Sequence, residues 1–238
     1  MSDFAIKLTH ASKKYTLHHE KPTFVENIFS RAKKEEFWAL QDINLTIKKG
    51  ERIGVIGPNG SGKTTLLEII AGITTPTHGE VVTNGKLVSL IELEAGFHPD
   101  LTGEENIFLN GLLIGMSKKE IKIKLKDITD FAGIGGFFDT PFYTYSSGMK
   151  LRLGFSVLAH SSPDILLIDE NIAVGDKDFQ ERSYQKIVDF SDEKKTIIIV
   201  SHRLEILNRL TTKTIRLEQG KVERFGPSKK VIKEYLRS

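Results

Sequence analysis

Nine consecutive residues carry the most specific chemistry in the sequence: Gly57-Pro58-Asn59-Gly60-Ser61-Gly62-Lys63-Thr64-Thr65. They fit the spacing GxxxxGK[ST]. Glycines at these positions let successive backbone N–H groups turn inward around a phosphate, and the start of a helix adds a favourable dipole. In such a loop Lys63 neutralises the β and γ phosphates and the Thr64 hydroxyl holds Mg²⁺, while Asn59, Gly60, Ser61 and Thr65 complete the lining. The flanks suit the motif. Arg52-Ile53-Gly54-Val55-Ile56 reads as a short buried strand, and Thr65 to Ala71 as a helix closed by Gly72. A chance glycine-rich turn would carry neither flank. These residues predict binding of a nucleoside triphosphate.

A second group of residues supplies acid–base chemistry. Ile165-Leu166-Leu167-Ile168-Asp169-Glu170 is an apolar run ending in two carboxylates. At a strand tip beside the phosphate loop, Asp169 is placed to order a magnesium ion and Glu170 to polarise the attacking water. His202 follows another continuous apolar run, Thr196 to Val200, as expected of strands buried on both faces of a parallel sheet. The shared sheet would bring its imidazole to the γ-phosphate as a hydrogen-bond donor.

These residues need a scaffold, and the chain has two textures. Phe4 to Leu8 and Ile43 to Ile47 alternate apolar and polar residues, as half-buried antiparallel strands do. From about residue 100 to 162 the texture is helical. Thr102 with Glu105 and Ser117 with Glu120 fit capping boxes, and Ile121, Leu125, Ile128 and Ala132 form an apolar stripe. Thr214 to Leu217 and Lys221 to Phe225 read as a hairpin, followed by a short helix from Ser228. The expected fold class is α/β: a P-loop NTPase core with a mainly parallel sheet, an N-terminal antiparallel β subdomain and an inserted α-helical subdomain.

Composition narrows the setting. Charged residues make up 27% and hydrophobic residues 39% of 238, ordinary for a globular protein, and the net charge of +3 gives no case for nucleic acid. With no cysteine, disulfides and thiol catalysis are excluded. No apolar run approaches the ~20 residues of a membrane helix, so a membrane role must come through a partner.

Tyr145-Ser146-Ser147-Gly148-Met149 precedes an apolar helix, Leu151 to His160, and lies between the helical insert and Asp169. With this motif in place the chain resembles the nucleotide-binding subunit of ATP-binding cassette (ABC) transporters, from about residue 3 to 226. The resemblance implies that Ser146, Ser147 and Gly148 form the signature that meets the γ-phosphate bound by a second subunit. It implies further that Asp176, in Asn171 to Asp176, lies in the loop crossing to that subunit, and that His202 is the switch histidine. Tyr15 is favoured for the aromatic that stacks on adenine, with Trp38 or Phe37 as its rival. The cofactors implied are ATP and Mg²⁺. The partners implied are a homodimer in the ATP-bound state and two copies of a transmembrane permease, with the chain peripheral on the cytoplasmic face of the inner membrane.

Departures from the family pattern are informative. The signature reads YSSGM, not LSGGQ, and the crossing loop AVGD, not SALD. The coupling loop from Ile91 to Ile107 contains no glutamine, so Glu92 or Glu94 stands in as the metal ligand there. ELEAGFHPDLTGEENI, YSSGMKLRLGFS and LLIDENIAVGDKDFQ resemble the polysaccharide-export branch, which moves lipid-linked O antigen, teichoic acid or capsule. The longer stretch between Tyr15 and Trp38 fits that branch, with Thr23 and Glu26 capping a short helix that carries Phe24 and Ile28 ahead of Arg31, Lys33 and Lys34. Residues 1–238 are expected to form a single nucleotide-binding domain, without the C-terminal glycan-binding domain that some members carry. The rival reading is a soluble ABC-type ATPase acting on ribosomes or DNA. Those proteins carry paired cassettes or a long coiled-coil insertion, and this chain has neither. A P-loop GTPase would need a guanine-reading NKxD, which is absent.

Overall fold

A computed structural model describes residues 3–18, 34–91, 96–169 and 176–237. Glu92, Glu94, Glu170, the loop 171–175 and the expected helix from Thr23 to Lys33 lie outside the described residues.

Two sheets share the molecule. In the first, β1 (Phe4–His18) pairs antiparallel with β2 (Lys34–Lys48) on one side and β4 (His78–Thr83) on the other. The alternating segments seen in the sequence are only one end of each strand, the start of β1 and the end of β2. The ladder continues through register shifts between Leu8 and Lys14 to pair Tyr15 with Phe37 and His18 with Lys34. At the shifts, His10 (φ 49°) and Asp42 (φ 51°) adopt left-handed backbone, joined by a 2.7 Å contact between His10 Nδ1 and Asp42 Oδ1. Bulges of this kind break the two-residue period, which is why sequence alternation understates the strands.

The second sheet runs in the order β5 (Leu87–Ser89), β6 (Ile165–Ile168), β7 (Thr196–Val200), β3 (Arg52–Ile56), β8 (Lys213–Glu218), β9 (Lys221–Pro227). All neighbours are parallel except β8 and β9. β6 and β7 are buried at every position. One face packs with α1 (Lys63–Ala71) and the first sheet. The other packs with α5 (Lys177–Asp192), α6 (Leu204–Leu210) and α7 (Ser228–Tyr235).

The helical insert forms its own core from α2 (Gly103–Leu113) and α3 (Lys118–Ala132) against α4 (Ser147–Ala159). Both capping boxes close: Glu105 N–H donates to Thr102 Oγ1 and Glu120 N–H to Ser117 Oγ, each at 3.2 Å. α4 joins the two parts. Leu153 and Val157 pack into the insert, while Phe155, Leu158 and Ala159 pack under the parallel sheet. The helix also starts four residues before the expected Leu151, so Ser147 and Gly148 are already its first turn. Among the described residues no helix is long and apolar enough to cross a membrane.

Candidate nucleotide-binding site

Register brings the candidate residues to one edge. Ile168 lies beside Ile199, and Val200 beside Val55, in adjacent parallel strands. The chain therefore leaves β3 into Gly57, β6 into Asp169 and β7 into Ser201 and His202 at the same carboxyl end of the sheet, where open α/β sheets bind ligands. A cleft of about 450 Å³ opens there, lined by Asn59, Gly60, Gly62, Lys63, Thr64, Thr65, Asp169 and His202 together with Tyr15, Phe37 and Ala39.

The phosphate loop is shaped by contacts that only glycine tolerates. Gly57 has φ +153°, and a Cβ there would sit 2.2 Å from the Leu217 carbonyl oxygen. At Gly62, φ +100°, a Cβ would sit 2.4 Å from the Ala39 carbonyl oxygen. The loop is tied down further by Gly220 N–H donating to Ser61 O at 3.1 Å. Inside it, Lys63 is buried and its ammonium donates to the carbonyls of Gly57 and Pro58, both at 3.0 Å. The Ser61 hydroxyl is buried without a hydrogen-bond partner, a state that costs about 1–3 kcal/mol. An anion in the cradle would relieve that cost. The first turn of α1, left without a side-chain cap, would gain from the same anion.

The oxygen donors suit a small hard cation. The Thr64 hydroxyl and the Asp169 carboxylate border one cleft, and among the described residues no three His, Cys, Asp or Glu side chains cluster as an all-protein metal cage. Mg²⁺ in nucleotide sites takes one or two protein oxygens and completes its shell with phosphate and water, so this donor set fits it.

At the other end of the cleft the structure separates the aromatic rivals. Tyr15 and Phe37, directly paired across β1 and β2, stack with ring centroids 5.7 Å apart and both line the cleft. Trp38, one residue on, points to the opposite face and packs against His78, 5.8 Å between centroids, with the Lys14 ammonium over its ring. Strand alternation was the available signal: a residue pairing with Tyr15 shares its face.

Ser146, Ser147 and Gly148 do not line this cleft. Ser146 is the N-cap of α4, its hydroxyl accepting from Met149 N–H at 3.3 Å, and Ser147 is exposed. Asp176 caps α5. The Phe179 N–H, 2.9 Å away, holds its carboxyl below the usual carboxylate range, with Arg152 of α4 assisting at 3.4 Å. Sequence reading missed Asn106, which has no accessible surface. Its amide donates to the carbonyls of His98, Leu101 and Thr102, each at 3.0 Å, and accepts from His98 N–H at 2.8 Å. An asparagine inside the helix, four positions after the Thr102 that opens the capping box, was the only hint.

A family model described as ABC transporter matches residues 40–173. The teichoic acids export ATP-binding protein TagH of Shouchella clausii is 45% identical over 231 residues, 96% of this chain and 64% of that protein. The O-antigen export system ATP-binding protein RfbB of Klebsiella pneumoniae is 39% identical over 237 residues, 97% of this chain and 96% of that protein. The chain thus spans under two thirds of the length of the first relative and nearly all of the second. A solved dimeric bacterial ABC transporter cassette aligns with a TM-score of 0.71 at 26% identity, covering 94% of this chain and 98% of that one.

Proposed function

The chain belongs to the ABC transporter family, and from that premise we propose that it is the ATP-hydrolysing subunit of an exporter of lipid-linked polysaccharide. The O-antigen and teichoic-acid export relatives support that cargo class. The observation that carries the reading is one cleft bordered by the phosphate loop, Asp169 and His202 at the carboxyl edge of the parallel sheet.

In this mechanism Lys63 leaves the Gly57 and Pro58 carbonyls for the β and γ phosphates of ATP, and the Ser61 hydroxyl gains a partner. Thr64 and Asp169 would hold Mg²⁺, which would supply neutralisation of phosphate charge. Glu170 polarises the attacking water, and His202 donates a hydrogen bond at the γ-phosphate. Tyr15, backed by Phe37, stacks on adenine. Two copies pair head to tail in the ATP-bound state, each presenting Ser146, Ser147 and Gly148 to the nucleotide of the other, with Asp176 in the crossing loop. The segment holding Glu92 and Glu94 faces a transmembrane permease present in two copies, which places the pair on the cytoplasmic side of the membrane. ATP drives the cycle to the extent that it prefers the closed pair.

The test is the mass of Glu170→Gln in saturating Mg·ATP, by light scattering. A stable ATP-bound dimer that does not turn over is expected. Hydrolysis at the wild-type rate would remove Glu170 from its role, and a monomer under all conditions, permease included, would remove the paired mechanism.

A further inference from the structure

Tyr145 opens the signature turn where the family pattern has leucine, and no role in the mechanism above uses its phenol. The side chain is 4% exposed, and its hydroxyl donates to the Phe137 carbonyl at 2.6 Å. That hydroxyl fills a notch at the start of α2. A Cβ on Gly103 would lie 2.1 Å from it, and the neighbouring Phe138 carbonyl accepts from Glu104 N–H at 3.0 Å. The phenol thus reaches from the signature turn to the first residue of α2.

The segment just before α2 is knitted to the same turn. Phe142 N–H donates to Leu101 O at 2.8 Å and Tyr143 N–H to Pro99 O at 2.9 Å. Phe97 stacks on Phe142, 4.7 Å between centroids, and Phe142 lies against Tyr145 at 5.2 Å. Asn106 fastens the segment from the other side through His98, Leu101 and Thr102. Residues 96–102 lead directly into α2, and Tyr145 is covalently next to Ser146.

We propose that Tyr145 is a positioning residue: its hydroxyl, seated against Gly103, locks the Ser146–Gly148 turn to the segment before α2 and so fixes the orientation in which that turn meets the partner's nucleotide. This rests on the paired reading above. A leucine would fill the same apolar space but has no atom to reach Phe137 O. The sequence therefore replaces a packing contact with a directional tether, and buried hydrogen bonds fix orientation more tightly than apolar contacts do.

Tyr145→Phe removes the hydroxyl while keeping the ring on Phe142. In the purified full chain, the affinity of dilute single protomers for a fluorescent ATP analogue should stay within about twofold of wild type, because Tyr145 is remote from the cleft. ATP hydrolysis at dimer-forming concentration should fall about fivefold to tenfold, as loss of one buried hydrogen bond at an interface-bearing turn entails. Gly103→Ala should lose hydrolysis more than about tenfold, since its Cβ enters the hydroxyl's place. Combined with Tyr145→Leu, which vacates that place, Gly103→Ala should do no further harm. Wild-type turnover in Tyr145→Phe, or simple addition of the Gly103→Ala and Tyr145→Leu losses, would overturn the tether. Should wild type itself neither pair nor hydrolyse ATP, the paired ATPase reading fails and the tether with it, an outcome distinct from a functional wild type with an indifferent Tyr145→Phe.

Discussion

α1 begins at a left-handed glycine with no side-chain cap, whereas α4 begins at Ser146, whose own hydroxyl already takes the Met149 N–H. Both helix starts are assigned to phosphate, one to the nucleotide of the same protomer and the other to that of a partner. The first is a cradle held in shape by backbone crowding at Gly57 and Gly62. The second is exposed and self-satisfied, and its orientation depends on packing beneath it, through Tyr145, Phe142 and the segment clamped by Asn106. A cradle of the first kind fails when its shape is blocked. A lid of the second kind fails when its support moves.

The largest effect should follow from crowding the cradle. Gly57→Ala, with its Cβ driven into the Leu217 carbonyl, should weaken ATP binding by more than about a hundredfold in a nucleotide titration. Gly60→Ala meets no atom within 4 Å and bears only the cost of its left-handed φ of +76°, about 1 kcal/mol. Equal losses at the two positions would mean that backbone crowding is not what shapes the loop. On the lid side, Asn106→Ala orphans His98 N–H and leaves three carbonyls with one backbone donor each, and should destabilise the chain by about 2–3 kcal/mol in urea unfolding while protomer affinity for ATP persists. A drop in affinity as large as that of Gly57→Ala would merge the two regions into one.

Ser146→Ala removes the α4 cap, a loss of about 1 kcal/mol in stability. It should lower hydrolysis in the dimer and leave binding to isolated protomers intact. The smallest effect concerns the far end of α4. Burial pushes the His160 imidazolium below its usual value near 6.5, although a contact with the Ser156 carbonyl at 2.7 Å opposes this. Because the folded value is depressed, the unfolded chain binds more protons just below pH 6.5. The contribution of neutral His160 is therefore complete above that pH and is lost as pH falls through the folded value. Melting temperature should decline on acidification below about pH 6.5, and His160→Asn should flatten that decline. An identical slope in the variant would remove His160 as its source.

Much of the scaffold was legible because it rests on local rules. The continuous apolar runs at Ile165–Ile168 and Thr196–Val200 are fully buried parallel strands, and the two capping boxes close as their spacing requires. The lengths of β1 and β2 were not legible, since the bulges at His10 and Asp42 interrupt the period on which pattern reading depends. Around the cleft, the phosphate loop is written in consecutive residues. The face shared by Tyr15 and Phe37 depends instead on the pairing register of strands some twenty residues apart, and the seat of Tyr145 on Gly103 depends on how two helix starts pack. Contacts of that kind leave no periodic mark in a single sequence.

The central claim is that each ATP is enclosed by the phosphate loop of one protomer and the signature of another, and mixing two inactive variants tests it. Lys63→Ala disables the cradle and Gly148→Asp the lid, so neither should hydrolyse ATP alone. If pairing is random, half the mixed population holds one intact cradle facing one intact lid, and ATPase activity should return to about a quarter of the wild-type level. Activity in the mixture no greater than the sum of the separate variants would contradict an active site shared between two chains.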